Sequence, residues 1–246
     1  MIKVVILAAG MARRLQPLTN STPKCLLPVG DKTLIDRALI SIKAAGLSHV
    51  VIVTGFEADQ IKKHCQSHYS DINFEWIHNE RFEETNNIYS LWLTKETMSG
   101  HSLLLLDSDI IFHHQILTNL LESNFENCLA LRESDKLGDE EIKVTVDEEG
   151  FVKAISKVVD PKQAIGESLG IELFGIGLTY KLFRCVNELI VKQGRDNDFY
   201  EVAFEKIIFE GGQIKPVSVG SLPCMEIDTA SDLQAAFPLS IQLDHE

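Results

Sequence analysis

The sequence predicts an α/β fold with a doubly wound, mostly parallel, Rossmann-like sheet, plus a β-hairpin and extra strands in the second half. Apolar strands alternate with amphipathic helices through the first half, which is the pattern of a parallel sheet. The segment "SLLLLDSD" (102–109) begins with a continuous apolar run, so helices are expected on both faces of the sheet. A hydrophobic content of 45% over 246 residues is enough for one large core.

The individual elements follow from periodicity and from glycine stops. "KVVILAA" and "HVVIVTG" are rich in β-branched residues and indicate buried strands, whereas "LIDRALISIKAAG" has apolar residues at helical spacing before a glycine. In the first half the predicted strands lie at 3–9, 49–55, 72–77 and 102–109, and the predicted helices at 34–46, 57–69 and 86–98.

The second half has a more mixed pattern. "EIKVTVDEEGFVKAISKV" (141–158) predicts a hairpin that turns near Glu149 and Gly150. Strands are predicted at 170–178 and 214–220, helices at 179–194 and 199–212, and a short strand entering a helix at 226–237, with Thr229 or Ser231 as N-cap. Because no repeat and no Pro-, Gly- or Ser-rich linker interrupts the chain, we expect a single domain over 1–246.

The charge balance limits the classes of partner. With 36 acidic and 23 basic residues the net charge is −13, which argues against binding to nucleic acid or to an anionic membrane. A cationic ligand, or an anionic ligand carried by a metal ion, fits this charge better. The five cysteines are widely spaced and form no C-x-x-C pair, which indicates a reduced, cytoplasmic setting without a disulfide framework. The short apolar run at the N-terminus is interpreted as a first strand and not as a signal peptide.

The loop after the first predicted strand concentrates basic residues. In "ILAAGMARRLQPLTNSTPK" (6–24), Gly10 allows close approach of a ligand to the backbone, and Arg14 and Lys24 supply positive charge for a polyphosphate. The loop contains neither a Walker A motif nor a G-x-G-x-x-G fingerprint. An ordinary solvated basic loop therefore stays open as the alternative on spacing alone.

Two pairs of acidic residues have the spacing of a hard-metal site. Asp107 and Asp109 end the most apolar strand, and Glu226 and Asp228 alternate on a short strand before a helix. Carboxylates of this kind suit Mg²⁺ bound together with substrate phosphates. Neither pair has a Lys or Arg close by in sequence, so a bound metal or a cationic substrate group is expected to balance their charge. The alternative for Asp109 and Asp228 is a helix N-cap.

With these residues in view, the chain resembles nucleotidyltransferases of the sugar-phosphate type. Their opening pattern A-A-G-x-G-x-R-L-x-P-L-T, followed by P-K, is matched here from Ala8 to Thr19 with Pro23 and Lys24 after it. The one departure is Ala12, where the family usually has glycine. The chain is most similar to small cytidylyltransferases that activate phosphocholine and related phosphorylated alcohols, through "TNNIYSLWL" (85–93), "LLLLDSDIIF" (103–112) and "MEIDTASDL" (225–233).

The resemblance implies roles for particular residues. Asp109 and Asp228 would hold Mg²⁺, and Lys24 and Arg14 would be catalytic residues that hold the triphosphate. The nucleotide-binding set implied by the family comprises Ala8, Ala9, Gly10, Ala12, Arg14, Lys24, Asn86, Asn87 and Asp107. The substrate-binding set comprises Glu226, which faces the cationic head group, Asp198, Tyr200 and Glu201 from "DNDFYEVAF", and Lys157, which meets the substrate phosphate. Asp107 can also face the head group. The alternative for "DNDFYEVAF" is an ordinary amphipathic helix with an apolar core face, and the alternative for Lys157 is a surface lysine on an exposed hairpin.

The implied activity is Mg²⁺-dependent transfer of a cytidylyl group from CTP, or of another nucleotidyl group, to a small phosphorylated amino-alcohol or aminoalkyl phosphonate. The nucleotide would bind to about residues 1–110 and the acceptor to about 111–246. One alternative is a sugar-1-phosphate nucleotidyltransferase that uses UTP, GTP or dTTP, and another is an inactive nucleotide-binding regulatory protein. The loop 132–143 is a candidate lid. We expect a monomer or homodimer that binds neither nucleic acid nor membrane.

Overall fold

The computed structural model describes residues 1–245 and contains a nine-stranded mixed sheet with helices on both faces. Its strands, including four in two small separate pairs, are β1 (Ile2–Ala8), β2 (Pro28–Val29), β3 (Lys32–Thr33), β4 (His49–Thr54), β5 (Asn73–His78), β6 (Ser102–Asp107), β7 (Ile110–Phe112), β8 (Cys128–Glu133), β9 (Lys143–Val146), β10 (Val152–Ser156), β11 (Gly166–Phe174), β12 (Lys215–Ser218) and β13 (Cys224–Glu226). The helices are α1 (Leu34–Ala44), α2 (Ala58–His68), α3 (Asn87–Leu93), α4 (Gln115–Glu122), α5 (Ile176–Asn187), α6 (Glu201–Phe209) and α7 (Ala230–His245).

The first half forms the parallel part of the sheet. β1 lies between β6 and β4, β5 follows β4, and all these pairs are parallel. β11 pairs antiparallel with β6 and also with β8 and β9, β10 completes the hairpin with β9, and β12 runs parallel to β8. The predicted fold class, a mostly parallel sheet with a hairpin and extra strands in the second half, is therefore confirmed.

Two hydrophobic cores lie on opposite faces of this sheet. Along β1 the side chains of Val4 and Ile6 belong to one core, and those of Val5 and Leu7 belong to the other. The first core is closed by α1, α2 and α4, and the second by α3, α5 and α6. Burial on both faces explains why the central strands are continuous apolar runs, as the sequence predicted.

Helix α1 begins with a capping box that also anchors α2. The Thr33 hydroxyl accepts a hydrogen bond from the backbone N–H of Asp36 at 3.2 Å, and Asp36 accepts one from the backbone N–H of Thr33 at 3.0 Å. The same carboxylate accepts a bond from the Tyr69 hydroxyl at 2.8 Å and lies 2.7 Å from His64 Nε2. One aspartate therefore connects the first helix with the helix that follows β4.

Some predicted boundaries are wrong. The strand expected over 170–178 covers Gly166–Phe174, and helix α5 already begins at Ile176 because extended Gly175 is its N-cap. The helix predicted at 179–194 continues from α5 into a π-helical segment at Glu188–Lys192. The helix predicted at 86–98 ends at Leu93 and is followed by turns.

Neither acidic residue caps a helix. Asp109 precedes strand β7, and the next helix begins at Gln115. Asp228 accepts bonds from Arg14 and Lys24, and α7 is capped by the predicted Thr229, whose hydroxyl accepts a hydrogen bond from the backbone N–H of Asp232 at 3.2 Å. Among the helices in residues 1–245, none is long and apolar enough to cross a membrane.

Candidate active site

A cavity of about 930 Å³ opens beyond the carboxyl ends of β1 and β6. This is where ligands bind in open parallel sheets, and the volume lies within the range of small-molecule sites. All the site residues predicted from the sequence line this cavity except Asp198 and Tyr200. The lining members of the predicted set are Ala8, Ala9, Gly10, Ala12, Arg14, Lys24, Asn86, Asn87, Asp107, Asp109, Lys157, Glu201, Glu226 and Asp228.

The basic loop after β1 is folded around a left-handed residue. Ala12 has φ 47° and ψ 52°, a conformation that favours glycine, and glycine is the residue that the resemblance led us to expect at this position. The Thr19 hydroxyl donates to the carbonyl of Ala12 at 2.9 Å and holds the loop closed. A Cβ added at Gly10 would meet no atom within 4 Å, so the missing side chain leaves open space in the cavity wall.

A small strand pair brings the two acidic segments together. β7 pairs antiparallel with β13, with Ile110 opposite Glu226, and the backbone N–H of Ile227 donates to the carbonyl of Asp109 at 2.9 Å. Asp109 and Asp228 flank this ladder from segments far apart in sequence. Each of Asp109, Glu226 and Asp228 offers a carboxylate oxygen, and these three oxygens lie within 4.8 Å of one another.

The loop cations pair with these carboxylates, which corrects the expectation that the acidic pairs lack a balancing side chain. Lys24 Nζ donates to Asp109 Oδ2 at 2.8 Å and to Asp228 Oδ1 at 2.7 Å, and Arg14 donates to Asp228 Oδ2 at 2.5 Å. Burial alone would lower the pKa of Lys24, but the two carboxylates outweigh it and the pKa is raised. For Asp228, burial acts to raise the pKa, but Lys24 and Arg14 outweigh burial and the pKa is lowered.

The acidic group still has capacity for a divalent cation. Asp109 Oδ1 is buried and has no hydrogen-bond partner among the described residues. Glu226 is exposed to the cavity, and desolvation together with the charges of Asp109 and Asp228 raises its pKa to about 8. A converging set of carboxylates with one unsatisfied oxygen is the donor chemistry that Mg²⁺ prefers, so Asp109, Glu226 and Asp228 fit such an ion.

The opposite wall of the cavity is formed by the start of α3 and the residues before it. Asn86 caps α3 by accepting from the backbone N–H of Asn87 at 2.8 Å, and Asn87 accepts from the backbone N–H of Tyr200 at 2.8 Å. Asn79 was not predicted as a site residue; it directly follows β5, lines the cavity and donates to Ser90 at 3.1 Å. Its position two residues after the strand predicted at 72–77 was the signal that could have identified it.

Two predicted head-group residues lie elsewhere. Tyr200 is fully buried against Phe204, and its hydroxyl donates to Asp107 at 2.9 Å, so its ring does not face the cavity. Asp198 accepts a bond from Arg195 at 2.5 Å and is also outside the lining. The amphipathic-helix alternative is correct for Ala203 and Phe204, which are core residues, while Glu201 from the same segment does line the cavity.

Lys157 lies at the rim, in contact with the loop 132–143. Its ammonium nitrogen is 3.1 Å from Glu140 Oε2 and 4.9 Å from the ring centre of Phe199. The same Glu140 oxygen lies 3.9 Å from Arg14. This loop therefore reaches two of the cations that face the cavity.

The sequence places the chain in a known group of proteins. Residues 4–151 match the family of the MobA-like NTP transferase domain, and this segment is more than half of the chain. The chain belongs to this family. Its family membership confirms that it is a nucleotidyltransferase-type protein, as the opening motif indicated.

Within the MobA-like family the chain has named relatives. A choline-phosphate cytidylyltransferase of Streptococcus pneumoniae is 30% identical over 124 residues, which are 50% of this chain and 52% of that protein. The chain therefore spans about half the length of this relative. A 2-aminoethylphosphonate cytidylyltransferase of Lancefieldella rimae is 23% identical over 233 residues, covering 94% of this chain and 90% of that protein.

A solved structure has the same fold. The CTP:phosphocholine cytidylyltransferase from Streptococcus pneumoniae superimposes with a TM-score of 0.78 over 97% of this chain and 99% of that chain, at 20% identity. At this identity the likeness shows the fold alone. The fold of this chain is thus the Rossmann-like nucleotidyltransferase fold.

Proposed function

We propose that the protein transfers a cytidylyl group from CTP to a small phosphorylated amino-alcohol or an aminoalkyl phosphonate and releases pyrophosphate. The observation that carries this proposal is the meeting of Lys24 and Arg14 with Asp109, Glu226 and Asp228 in one cavity. Such a site offers both cations for a triphosphate and hard oxygen ligands for a metal ion.

Residues of the basic loop bind the nucleotide in this proposal. Gly10 leaves room for the phosphates, and the Lys24 and Arg14 side chains stabilise the charge on the α-phosphate and the leaving pyrophosphate. Asn86 lies on the opposite wall, on the side of the base or ribose. The nucleotide thus occupies the part formed by about residues 1–110, and the acceptor occupies the part formed by about 111–246.

The reaction is an in-line displacement. An oxygen of the acceptor phosphate or phosphonate forms a bond to the α-phosphorus, while the bond from that phosphorus to the bridging oxygen breaks and pyrophosphate leaves with the electron pair. The acceptor is already anionic at neutral pH, so no strong general base is needed, and rate enhancement comes from positioning and charge neutralisation. Mg²⁺ held by Asp109, Asp228 and Glu226 would withdraw electron density from the α-phosphate.

The choice of base and acceptor rests on the relatives and on charge. Both named relatives are cytidylyltransferases, and their acceptors, choline phosphate and 2-aminoethylphosphonate, carry a cationic nitrogen. The cavity of this chain is also lined by Asp107 and Glu201, which a neutral sugar would leave without a counter-charge. These features favour a cationic acceptor and, with it, CTP.

The test is pyrophosphate release by the purified protein with Mg²⁺. Each of CTP, UTP, GTP and dTTP is paired with phosphocholine, phosphoethanolamine, 2-aminoethylphosphonate, inositol phosphate and glucose 1-phosphate. We expect rapid release only with CTP and an amine-bearing acceptor. Asp109→Asn should lower turnover by about 10²-fold or more, whereas Asp31→Asn, an exposed carboxylate in the β2–β3 turn, should not change it.

The other outcomes select the alternatives. Release with UTP, GTP or dTTP and glucose 1-phosphate would identify a sugar-1-phosphate nucleotidyltransferase. Nucleotide binding without release from any pair would support a regulatory protein. Full activity of Asp109→Asn in Mg²⁺ would refute the metal assignment.

A further inference from the structure

Three carboxylates form a second acidic group at the same cavity, which Asp107 and Glu201 line and behind which Glu172 is buried. We call this group the inner cluster, and it consists of Asp107, Glu172 and Glu201. Asp107 ends β6, Glu172 lies on the neighbouring strand β11, and Glu201 is the first residue of α6. Leu105 lies two residues before Asp107 on β6, and Phe174 lies two residues after Glu172 on β11, so each pair shares one face of the sheet. Leu105 and Phe174 belong to the core covered by α6. Strand alternation therefore directs Asp107 and Glu172 towards α6.

An irregularity in β11 shapes this part of the cavity. The pairing of β11 with β8 shifts between Ser168 and Glu172, and Gly170 has φ +65° within this segment. A Cβ at Gly170 would come within 2.6 Å of Asp107 Oδ2, so only glycine leaves room for the Asp107 carboxylate. The Ser168 hydroxyl lines the cavity and donates to Glu172 Oε1 at 3.2 Å.

The inner cluster lacks a counter-ion. Glu172 is 1% exposed and Glu201 is 7% exposed, and the Oε2 atom of each has no hydrogen-bond partner among residues 1–245. None of the ion pairs found between described residues includes a member of the cluster. Unpaired buried carboxylates are strongly unfavourable. Since Glu201 also lines the cavity, a cationic ligand group can reach the cluster from the cavity.

Of the aromatic side chains in the described residues, only Phe82 and Phe199 line the cavity, too few to form a cage for a quaternary ammonium group. Such groups bind over open aromatic faces. The Tyr200 ring is fully buried, Lys157 lies over the Phe199 ring, and Lys95 lies 5.0 Å from the Trp92 ring centre. Arg81 lies 5.1 Å from the Tyr89 ring centre. What the inner cluster offers is hydrogen-bond acceptors, and a trimethylammonium group has no N–H with which to use them.

We infer that the inner cluster binds a primary ammonium group on the acceptor, with Glu201 as its hydrogen-bond acceptor and Asp107 and Glu172 adding negative charge, and that it selects against trimethylated acceptors. This inference rests on the proposed function, because it places the acceptor in the same cavity. Glu201 lines the same cavity as Asp109 and Asp228, so an acceptor whose ammonium lies at the cluster can present its phosphate or phosphonate to the reacting end.

The titration behaviour of the cluster supports a cationic occupant. Burial, followed by the charge of Glu201, raises the pKa of Glu172 well above its usual range. Burial also raises the pKa of Glu201 to about 7. An ammonium ion that donates to Glu201 would favour the ionised forms of both carboxylates and offset the unfavourable interaction between them.

The test compares acceptors that differ only at nitrogen. With CTP and Mg²⁺ saturating, kcat/KM is measured by pyrophosphate release for phosphoethanolamine, for its trimethylated counterpart phosphocholine, and for amine-free ethyl phosphate. We expect phosphoethanolamine to exceed both others by at least about tenfold. Glu201→Gln should lower the ratio of phosphoethanolamine to ethyl phosphate by about tenfold, mainly through KM, and Glu201→Asp should restore part of it.

A matched control is Glu210→Gln, an exposed carboxylate just beyond the other end of α6 that should leave the ratio unchanged. The inference is overturned, with the proposed function intact, if phosphocholine is as good an acceptor as phosphoethanolamine. It is also overturned if Glu201→Gln lowers activity on ethyl phosphate by the same factor. If no acceptor releases pyrophosphate, the proposed function fails and the inference fails with it. Should Glu201→Gln not fold, as judged by circular dichroism, the acceptor series with the unchanged protein decides.

Discussion

The buried carboxyl group of Glu201 should make the protein less stable as the pH rises. Burial is the main cause that raises its pKa from 4.5 to about 7, assisted by Glu205 and opposed by Lys157. Between these values the folded protein keeps the proton and the unfolded chain has lost it, so stability falls as the pH increases. Raising the pKa from 4.5 to about 7 corresponds to a loss of about 3 kcal/mol in the free energy of unfolding over the whole pH range. About 2.5 kcal/mol of this loss occurs between pH 5 and pH 8.

The variant Glu201→Gln isolates this contribution. Glutamine has the shape of the protonated side chain but does not titrate, so its stability lacks the pH-dependent loss at this position. The free energy of unfolding is measured in urea at pH 5 and pH 8, without nucleotide or metal. Between pH 5 and pH 8 we expect the free energy of unfolding of the variant, relative to that of the unchanged protein, to rise by about 2.5 kcal/mol. The charge of Glu201 also helps to raise the pKa of Glu172. Removal of that charge in the variant therefore changes the pH dependence of stability in the same direction.

The control is again Glu210→Gln, which should gain nothing between the two pH values because its carboxylate is exposed. A gain for Glu201→Gln below about 1 kcal/mol would refute the reasoning. It would mean that Glu201 is solvated or paired in the free protein, and the inner cluster would then have no need of a cationic ligand.

Three further changes test other parts of the molecule. Asp228→Asn should lower the rate of pyrophosphate release by about 10²-fold or more with little loss of thermal stability. A large loss of thermal stability together with the loss of rate would indicate a structural role instead. Asp36→Ala should destabilise the protein by about 1–2 kcal/mol in urea without lowering kcat, because it removes the bonds from Thr33 and Tyr69. Ala12→Gly should stabilise it by up to about 1 kcal/mol, since Ala12 is left-handed; a loss of stability would contradict this account.

The location of the site could be predicted from the sequence, but the pairing of its charges could not. The strand-end rule and the opening motif were sufficient to place Lys24, Asp109 and Asp228 at one edge of the sheet. Lys24 is separated from Asp109 by 85 residues and from Asp228 by 204, so no local pattern shows that they form ion pairs. The β7–β13 ladder that joins the two acidic segments consists of strands of three residues, too short for a periodic signal.

The inner cluster could not be predicted as a group from the sequence, for a different reason. Glu172 is visible in "GIELFG" as one charged residue inside an apolar strand, yet its burial depends on the register with β6 and on the helix that covers it. Tyr200 was assigned to the head group because an acidic-aromatic segment does not show which side chains turn inward. In the fold, Asn87 accepts a bond from the backbone N–H of Tyr200, and this contact fixes the tyrosine in the core.

The proposed function places the two substrates at opposite ends of the cavity, and the two acidic groups differ in charge balance in a way that favours this. Around Asp109 and Asp228 the charges are already balanced by Lys24 and Arg14, so this end can accept an anionic triphosphate only together with added positive charge. That requirement matches a nucleotide that arrives with a divalent cation. Around Glu172 and Glu201 no cation is paired within the described residues, so this end is stabilised by a ligand that is itself positive. An acceptor with an ammonium at one end and a phosphate at the other meets both conditions. Its cation neutralises the inner cluster while its anion is directed to the α-phosphate, and a substrate with either charge missing would lose one of these interactions.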